Sequence, residues 1–255
     1  MILRYPGSKN RMKCDLDAVL PSDVTCVASP FFGGGAYEFH LARKGYNVVG
    51  ADLNGALVNF WNATRNNANE VASMVEKVSG GGCLDRHEFE RLRLKLMEDS
   101  CIASDPLHAA AVFFVLNRSS YNGVMRYFSN AGRFTPSSIA RLRNFEWPSS
   151  MCELQTRDVF DFLEEHRDMF WFLDPPYFNV KGGLYGLDAK SHVFNHVEFA
   201  SFLKRASPAT RWMLTYDDTP EIRKLYEFAN VMSLNVHYCS RHTNKKELII
   251  TNYNT

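Results

Sequence analysis

Several common functional features are missing from the 255-residue sequence. No apolar run approaches the roughly 20 residues that span a bilayer, and the N-terminal residues lack the pattern of a secretory signal. The six cysteines form no CxxC pair and have no histidine at metal-ligand spacing. They therefore predict free reduced thiols rather than a zinc site. We expect a cytoplasmic protein without a membrane segment or a metal site.

Acidic residues are also missing from residues 106–145, although the whole chain has a net charge of only +1. All the charged side chains in this stretch are arginines, namely Arg118, Arg126, Arg133, Arg141 and Arg143. A patch of one sign in a nearly neutral protein indicates a surface that faces a polyanion.

Hydrophobic periodicity predicts an α/β protein. A strand at residues 24–28, a glycine loop, a helix at 36–44 and a strand at 47–51 form a β-loop-α-β unit that ends in Asp52. Parallel sheets of this kind bind ligands at the carboxyl ends of their strands. Further strands are predicted at residues 152–156, 170–173, 211–216, 231–238 and 247–252.

The middle of the chain has a different pattern. Residues 57–116 are predicted to be mainly helical, with Asp105 and Pro106 as the N-cap and first residue of one helix. Residues 118–138 contain two turn signals and predict a solvent-facing β-hairpin. We therefore predict a catalytic domain formed by residues 1–56 and 151–255, and an inserted domain of residues 57–150.

The glycine loop and Asp52 together suit a nucleoside ligand. Gly33 to Gly35 would let the backbone approach a ligand closely, and Asp52 could accept hydrogen bonds from a ribose diol. A dinucleotide fingerprint would have a further glycine at position 38, where this chain has Glu38, and the P-loop lysine is absent. The alternative is that the glycines form a plain structural turn.

The stretch Asp174-Pro-Pro-Tyr177 follows a predicted strand of four apolar residues. Pro175 prevents the strand from continuing and favours an extended conformation of Asp174. A carboxylate oxygen and a proline carbonyl could then accept both hydrogens of an exocyclic amine, while Tyr177 offers a face for an unstacked base. The alternative is a strand end capped by prolines, with an incidental acid and tyrosine.

These motifs resemble those of a known family in identity and order. SPFFGGG at residues 29–35, Asp52, a long insertion and then DPPY resemble the Dam-like D12 class of adenine-specific DNA methyltransferases. RYPGSK at residues 4–9, NRSSYNGVMRY at 117–127 and KKELIITN at 245–252 are also similar to motifs of that class. The resemblance covers nearly the whole chain.

The resemblance implies a Rossmann-like methyltransferase sheet with helices on both faces and an inserted helical target-recognition domain with a β-hairpin. It also implies S-adenosylmethionine as cofactor, without a metal, and double-stranded DNA as substrate, without an obligate protein partner. The expected reaction transfers a methyl group to N6 of a flipped adenine, and the similarity of the hairpin to the Dam branch points to GATC.

The resemblance also implies roles for particular residues. The expected cofactor contacts are Tyr5, Lys9, Phe31, Gly33, Gly35, Asp52, Asp158 and Asp174. The expected catalytic residues are Asp174, Pro175, Pro176 and Tyr177. The expected DNA contacts are Arg118, Tyr121, Asn122, Arg126 and Arg133. Among these, Arg126 suits a bidentate guanine contact, or alternatively a phosphate contact.

Two departures from the family pattern leave alternatives open. Family members carry an acid before the Pro-Phe of the glycine loop as a partner for the cofactor ammonium, whereas this chain has Ser29; Glu38 is a candidate substitute. The segment from Phe134 to Pro136 also differs from the family's hairpin. One alternative is a methyltransferase-like DNA-binding protein with impaired catalysis, and another is an amine methyltransferase for RNA or protein.

Overall fold

A seven-stranded sheet forms the centre of the fold in a computed structural model that describes residues 1–80, 82, 84–129, 134–178, 194–238 and 243–254. The strands are β1 (Cys26–Ser29), β2 (Asn47–Asp52), β3 (Met151–Thr156), β4 (Phe170–Leu173), β5 (Trp212–Asp217), β6 (Asn230–Tyr238) and β7 (Thr243–Thr251). Their order is β3-β2-β1-β4-β5-β7-β6. All pairs from β3 to β5 are parallel, and β7 is antiparallel to both of its neighbours.

Helices connect most of these strands. They are α1 (Lys13–Val19), α2 (Glu38–Arg43), α3 (Gly55–Ser79), α4 (Arg86–Leu96), α5 (Asp99–Ser104), α6 (Pro106–Arg118), α7 (Pro136–Arg143), α8 (Val159–Glu165), α9 (His196–Ala206) and α10 (Pro220–Leu225). The expected α/β class and the Rossmann-like sheet are confirmed. The predicted cap of α6 is also present, because the Asp105 side chain accepts a hydrogen bond from the His108 amide. No helix in the described ranges is long and apolar enough to cross a bilayer.

Two hydrophobic cores cover the two faces of the sheet. Within β4, Phe170 and Phe172 belong to the core that includes α3 and α6. Trp171 and Leu173 belong to the opposite core, which includes α8 and α9. All four residues of β4 are therefore buried, which explains its uninterrupted apolar sequence.

The chain between β2 and β3 forms the helices α3 to α7. Helix α3 packs mainly on α6 and α7, but its Phe60 and Trp61 belong to the same core as one face of the sheet. The division of the chain at residue 57 into two domains stays a prediction.

The predicted β-hairpin is much reduced. Its described part contains one antiparallel bridge, between Ser120 and Phe128, and a 3₁₀ turn at Tyr121–Gly123. Left-handed backbone at Asn122 (φ 53°) and Met125 (φ 57°) prevents the extended conformation that strands require. Residues 130–133 of the predicted hairpin lie outside the described residues.

Candidate active site

The carboxyl ends of β1 and β4 form the point at which the strand order reverses. β1 and β4 pair in parallel, while β2 and β3 continue to one side and β5 to the other. The glycine loop follows β1, and Asp174 follows β4. Open parallel sheets bind ligands in the crevice at such a point.

Tyr5 packs directly against the glycine loop. A Cβ atom at Gly33, where φ is +49°, would lie 2.7 Å from Cε1 of Tyr5, and one at Gly34 would lie 2.9 Å from Cβ of Tyr5. The loop is fixed from the other side by Trp61, whose indole N–H donates to the Gly33 carbonyl at 3.0 Å. Tyr5 and the glycine loop therefore form one continuous packed surface.

Gly35 has a different constraint. A Cβ atom there would lie 2.6 Å from the ring of Phe39 and 2.7 Å from the ring of Phe32. Aromatic packing alone therefore requires a glycine at this position. Its expected contact with the cofactor stays a prediction.

Asp52 lies at the end of β2 and is held by backbone amides. Its Oδ2 accepts from the Gly33 N–H at 2.8 Å, and its Oδ1 accepts from the Asn54 N–H at 2.9 Å. Burial raises the pKa of Asp52 to about 6. A carboxylate has about four lone-pair sites, so each oxygen retains capacity for a further donor such as a ribose hydroxyl.

A buried acid lies beside Ser29, at the end of β1. The Ser29 hydroxyl donates to Oε1 of Glu38 at 2.9 Å, and the Glu38 residue is 3% exposed. Burial raises the pKa of Glu38 to about 7, and the negative charge of Asp174 acts in the same direction. The carboxylate missing from position 29 is therefore present next to it in space, on helix α2.

Asp174 is bound by two side chains from other elements. Its Oδ1 lies 2.6 Å from the Lys9 ammonium and accepts from the Thr215 hydroxyl at 2.8 Å. Burial raises the pKa of Asp174, while the positive charge of Lys9 opposes that shift. Lys9 is itself buried and also donates to the Gly7 carbonyl.

Tyr177 completes this cluster. Its hydroxyl donates to Oε2 of Glu247 at 2.6 Å, and the Lys9 ammonium lies 4.9 Å from the centre of its ring. Pro175 is buried and Pro176 half-buried between Asp174 and Tyr177. Residues 174–177 thus bring a carboxylate and an aromatic ring close to one ammonium group.

Two expected cofactor contacts have additional structural roles. Phe31 packs edge-on against Phe194 and Phe199, with ring centres 5.5 and 5.6 Å apart. Asp158 caps helix α8, because its Oδ1 accepts from the Phe160 N–H at 2.8 Å. Their contacts with a cofactor stay predictions.

The expected DNA contacts lie at the end of α6 and in the segment that follows it. Arg118 ends α6 and is half-buried. Tyr121 and Asn122 are exposed, and the Arg126 guanidinium lies 5.9 Å from the ring centre of Tyr127. Arg133 lies outside the described residues.

Thr215 and Glu247 also belong to the site, although no sequence pattern assigned them to it. Thr215 has no distinguishing pattern within β5. Glu247 carries a recognisable signal, since it is an acid in a strand where the following residues are apolar; it is 1% exposed. Among the described residues, no three His, Cys, Asp or Glu side chains form a group that could hold a metal ion.

Comparison with known proteins gives one family and several named relatives. The family described as D12 class N6 adenine-specific DNA methyltransferase matches residues 5–238. The chain is 26% identical over 236 residues to the Type II methyltransferase M.CviBI of a Paramecium bursaria Chlorella virus, covering 89% of this chain and 86% of the viral protein. It is 23% identical to a DNA adenine methylase of Haemophilus influenzae, covering 69% of this chain and 63% of that protein. For a DNA adenine methylase of Salmonella typhi, the identity is 26% and the coverage 68% and 56%.

Proposed function

Because the chain belongs to the D12 class of N6 adenine-specific DNA methyltransferases, we propose that the crevice between β1 and β4 is its active site. The observation that carries this proposal is the position of the Asp174 carboxylate. It lies at the carboxyl end of β4, next to the strand that leads into the glycine loop, and Thr215 fixes one of its oxygens. The reaction class follows from the family, and the residue roles below are our proposal.

Two carboxylates suit the cofactor of this family, S-adenosylmethionine. Asp52 has acceptor capacity for a ribose diol, and Glu38 can bind an ammonium group. Side chains for the rest of the cofactor are Tyr5, Lys9, Phe31, Asp158 and Asp174, together with the backbone at Gly33 and Gly35. When bound, the cofactor supplies an electrophilic methyl group on a sulfonium.

Asp174 and Pro175 act on the target amine. The N6 lone pair of adenine is conjugated with the ring, so the amine is a poor nucleophile. Hydrogen bonds to the Asp174 carboxylate and the Pro175 carbonyl favour a pyramidal amine with an available lone pair and hold it in one orientation. The amine loses one proton on methylation, and Asp174, whose pKa burial raises, can accept it.

The face of Tyr177 is the proposed support for the adenine ring. A base inside a duplex cannot reach a buried carboxylate, so the adenine must leave the stack. Pro176 fixes the short distance between the acceptor groups and this ring. The hydrogen bond from the Tyr177 hydroxyl to Glu247 restricts the orientation of the ring.

Residues 119–129, which we call the recognition loop, are the proposed reader of the DNA sequence. Exposed Tyr121 and Asn122 would enter the opened duplex, Arg126 would contact a guanine, and Arg118 and Arg133 would bind phosphates. GATC is the proposed site because of the similarity of this segment to the Dam branch.

Each alternative can be compared with a specific finding. Impaired catalysis was suggested only by Ser29, and Glu38 places a carboxylate oxygen 2.9 Å from the Ser29 hydroxyl. An RNA or protein substrate is disfavoured by the family match and by relatives named as DNA adenine methylases.

The proposal can be tested by single-molecule sequencing of DNA from cells that express the protein. We expect N6-methyladenine at one recurring sequence with the wild type and with Asp161→Ala, which changes an exposed acid on α8. We expect none with Asp174→Ala at equal soluble expression. Methylation retained in Asp174→Ala would remove Asp174 from the mechanism, and its absence in the wild type would reject the proposed function.

A further inference from the structure

The side-chain amide of Asn117 joins the start of the chain to the recognition loop. Its Oδ1 accepts from the Arg4 N–H at 2.9 Å, and its Nδ2 donates to the carbonyls of Arg4 at 2.8 Å and of Gly123 at 3.1 Å. Asn117 is fully buried. Since one side chain satisfies both backbone groups of Arg4, it acts like a neighbouring β-strand and fixes that residue against the loop.

Gly123 contacts the same residue from within the loop. Its φ is +79°, and a Cβ atom there would lie 2.0 Å from the carbonyl oxygen of Arg4. The loop therefore touches the Arg4 backbone so closely that no other residue type fits at position 123 without a displacement.

The recognition loop depends on such contacts for its shape. Asn122 and Met125 also have left-handed backbone, a conformation that asparagine tolerates but that is unfavourable for methionine and persists where the surroundings hold it. Ser120 supplies part of that support, because its Oγ donates to the Asn117 carbonyl and accepts from the Met125 N–H. The Arg4 guanidinium donates to the Ser120 carbonyl at 2.9 Å.

Residues 4–9 continue from this contact to both proposed reaction partners. The ring of Tyr5 lies against the backbone of the glycine loop, and the Lys9 ammonium pairs with Asp174. A segment of six residues thus links the recognition loop to the cofactor loop and to the catalytic acid.

We propose that Asn117 and Gly123 are positioning residues, which set the distance and orientation of the recognition loop relative to Asp174. In this role they fix the position along the DNA at which the target base meets the Asp174 carboxylate. This inference rests on the proposed function. It adds that the first residues of the chain, and not only the loop itself, determine how strictly the enzyme selects its sequence.

A pair of glycine substitutions tests the inference. Gly123→Ala introduces left-handed strain and the clash with Arg4. Gly45→Ala is the matched control, because Gly45 also has a left-handed φ of +94° but has open space where the Cβ would go. Asn117→Ala removes the side-chain hydrogen bonds to the backbone of Arg4 and Gly123. For each protein, single-turnover methylation is measured at the recurring sequence and at sites that differ from it by one base, with calorimetric binding of S-adenosylhomocysteine without DNA.

For Gly123→Ala and Asn117→Ala, we expect the single-turnover rate at saturating DNA to fall about a hundredfold, with an affinity for S-adenosylhomocysteine close to that of the Gly45→Ala control. We also expect the ratio of rates at matched and mismatched sites to fall about tenfold. This ratio does not depend on how much of the protein is folded, so a general loss of structure would leave it unchanged.

Equal selectivity ratios and rates in Gly123→Ala and Gly45→Ala would overturn the inference. A wild type that binds S-adenosylhomocysteine but methylates no DNA would reject the proposed function instead. The two failures are therefore distinguishable.

Discussion

The Lys9 ammonium lies 2.6 Å from the Asp174 carboxylate, and both groups are largely buried. Because the same ammonium is 4.9 Å from the centre of the Tyr177 ring, it lies where the proposed target amine would meet its acceptor and its stacking partner. The pair also has an electrostatic consequence. Burial raises the pKa of Asp174, and Lys9 lowers it, so Lys9 favours the ionised acid, which accepts hydrogen bonds through both oxygens.

Lys9→Met should shift the acidic limb of the pH–rate profile for methylation to higher pH. Removing the positive charge leaves the effect of burial unopposed, so the pKa of Asp174 rises and the acid is protonated over a wider range of pH. We expect the single-turnover rate at pH 7 to fall by about tenfold to a hundredfold, with partial recovery at pH 9. Lys44→Met, which removes an exposed partner of Asp17, serves as the control. An unshifted profile would show that Lys9 does not set the ionisation of Asp174.

Glu38→Gln should stabilise the folded protein at high pH. Burial raises the pKa of Glu38 from 4.5 to about 7, so the folded state holds a proton that the unfolded state releases. The wild type therefore loses stability as the pH rises from about 4.5 through 7, whereas the glutamine variant does not. We expect a gain in the free energy of unfolding of about 2 to 3 kcal/mol at pH 8 and little change at pH 4. Urea denaturation of both proteins at pH 4 and pH 8 measures the free energy of unfolding. A glutamine variant less stable than the wild type at pH 8 would contradict the burial argument.

The same substitution should weaken binding of the cofactor's amino-acid portion. Loss of a charge-assisted hydrogen bond to an ammonium should reduce the affinity for S-adenosylhomocysteine by about tenfold to a hundredfold. The affinity for 5′-methylthioadenosine, which has no ammonium, should be unchanged. In the wild type, the affinity for S-adenosylhomocysteine should increase as the pH rises through about 7, where Glu38 ionises. Calorimetry with both ligands tests this prediction. An equal loss of affinity for S-adenosylhomocysteine and for 5′-methylthioadenosine would exclude an ammonium contact.

The sequence predicted those parts of the fold that depend on local patterns. Hydrophobic patterning predicted the strands, including the uninterrupted apolar run of β4, and Asp105 with Pro106 predicted the start of α6. The family pattern indicated Glu38 as a substitute for the acid missing at position 29, and Glu38 does lie beside Ser29. The contact of Lys9 with Asp174 could not be derived from local pattern, since tertiary packing brings these side chains together. The prediction of a full hairpin was wrong because a strand was assumed after the turn signal at Asn122. In the structure, Met125 in that segment has left-handed backbone and is buried.

Tyr177 offers a way to separate stacking from hydrogen bonding in the proposed site. Tyr177→Phe keeps the aromatic face and removes only the hydrogen bond to Glu247, so we expect the single-turnover rate to fall less than about tenfold. Tyr177→Ala removes the face as well and should reduce the rate about 10- to 100-fold further, as stacking of one base on an aromatic ring is worth roughly 1 to 3 kcal/mol.

Leu94→Ala is the control for this comparison, because it removes an exposed apolar side chain on α4 that belongs neither to the recognition loop nor to the proposed active site. A phenylalanine variant as slow as the alanine variant would assign the role of Tyr177 to its hydroxyl and Glu247. In that case, the buried carboxylate of Glu247, which raises the pKa of Asp174 through its charge, would need the hydroxyl as a permanent donor. The effect of Tyr177 on methylation would then be electrostatic.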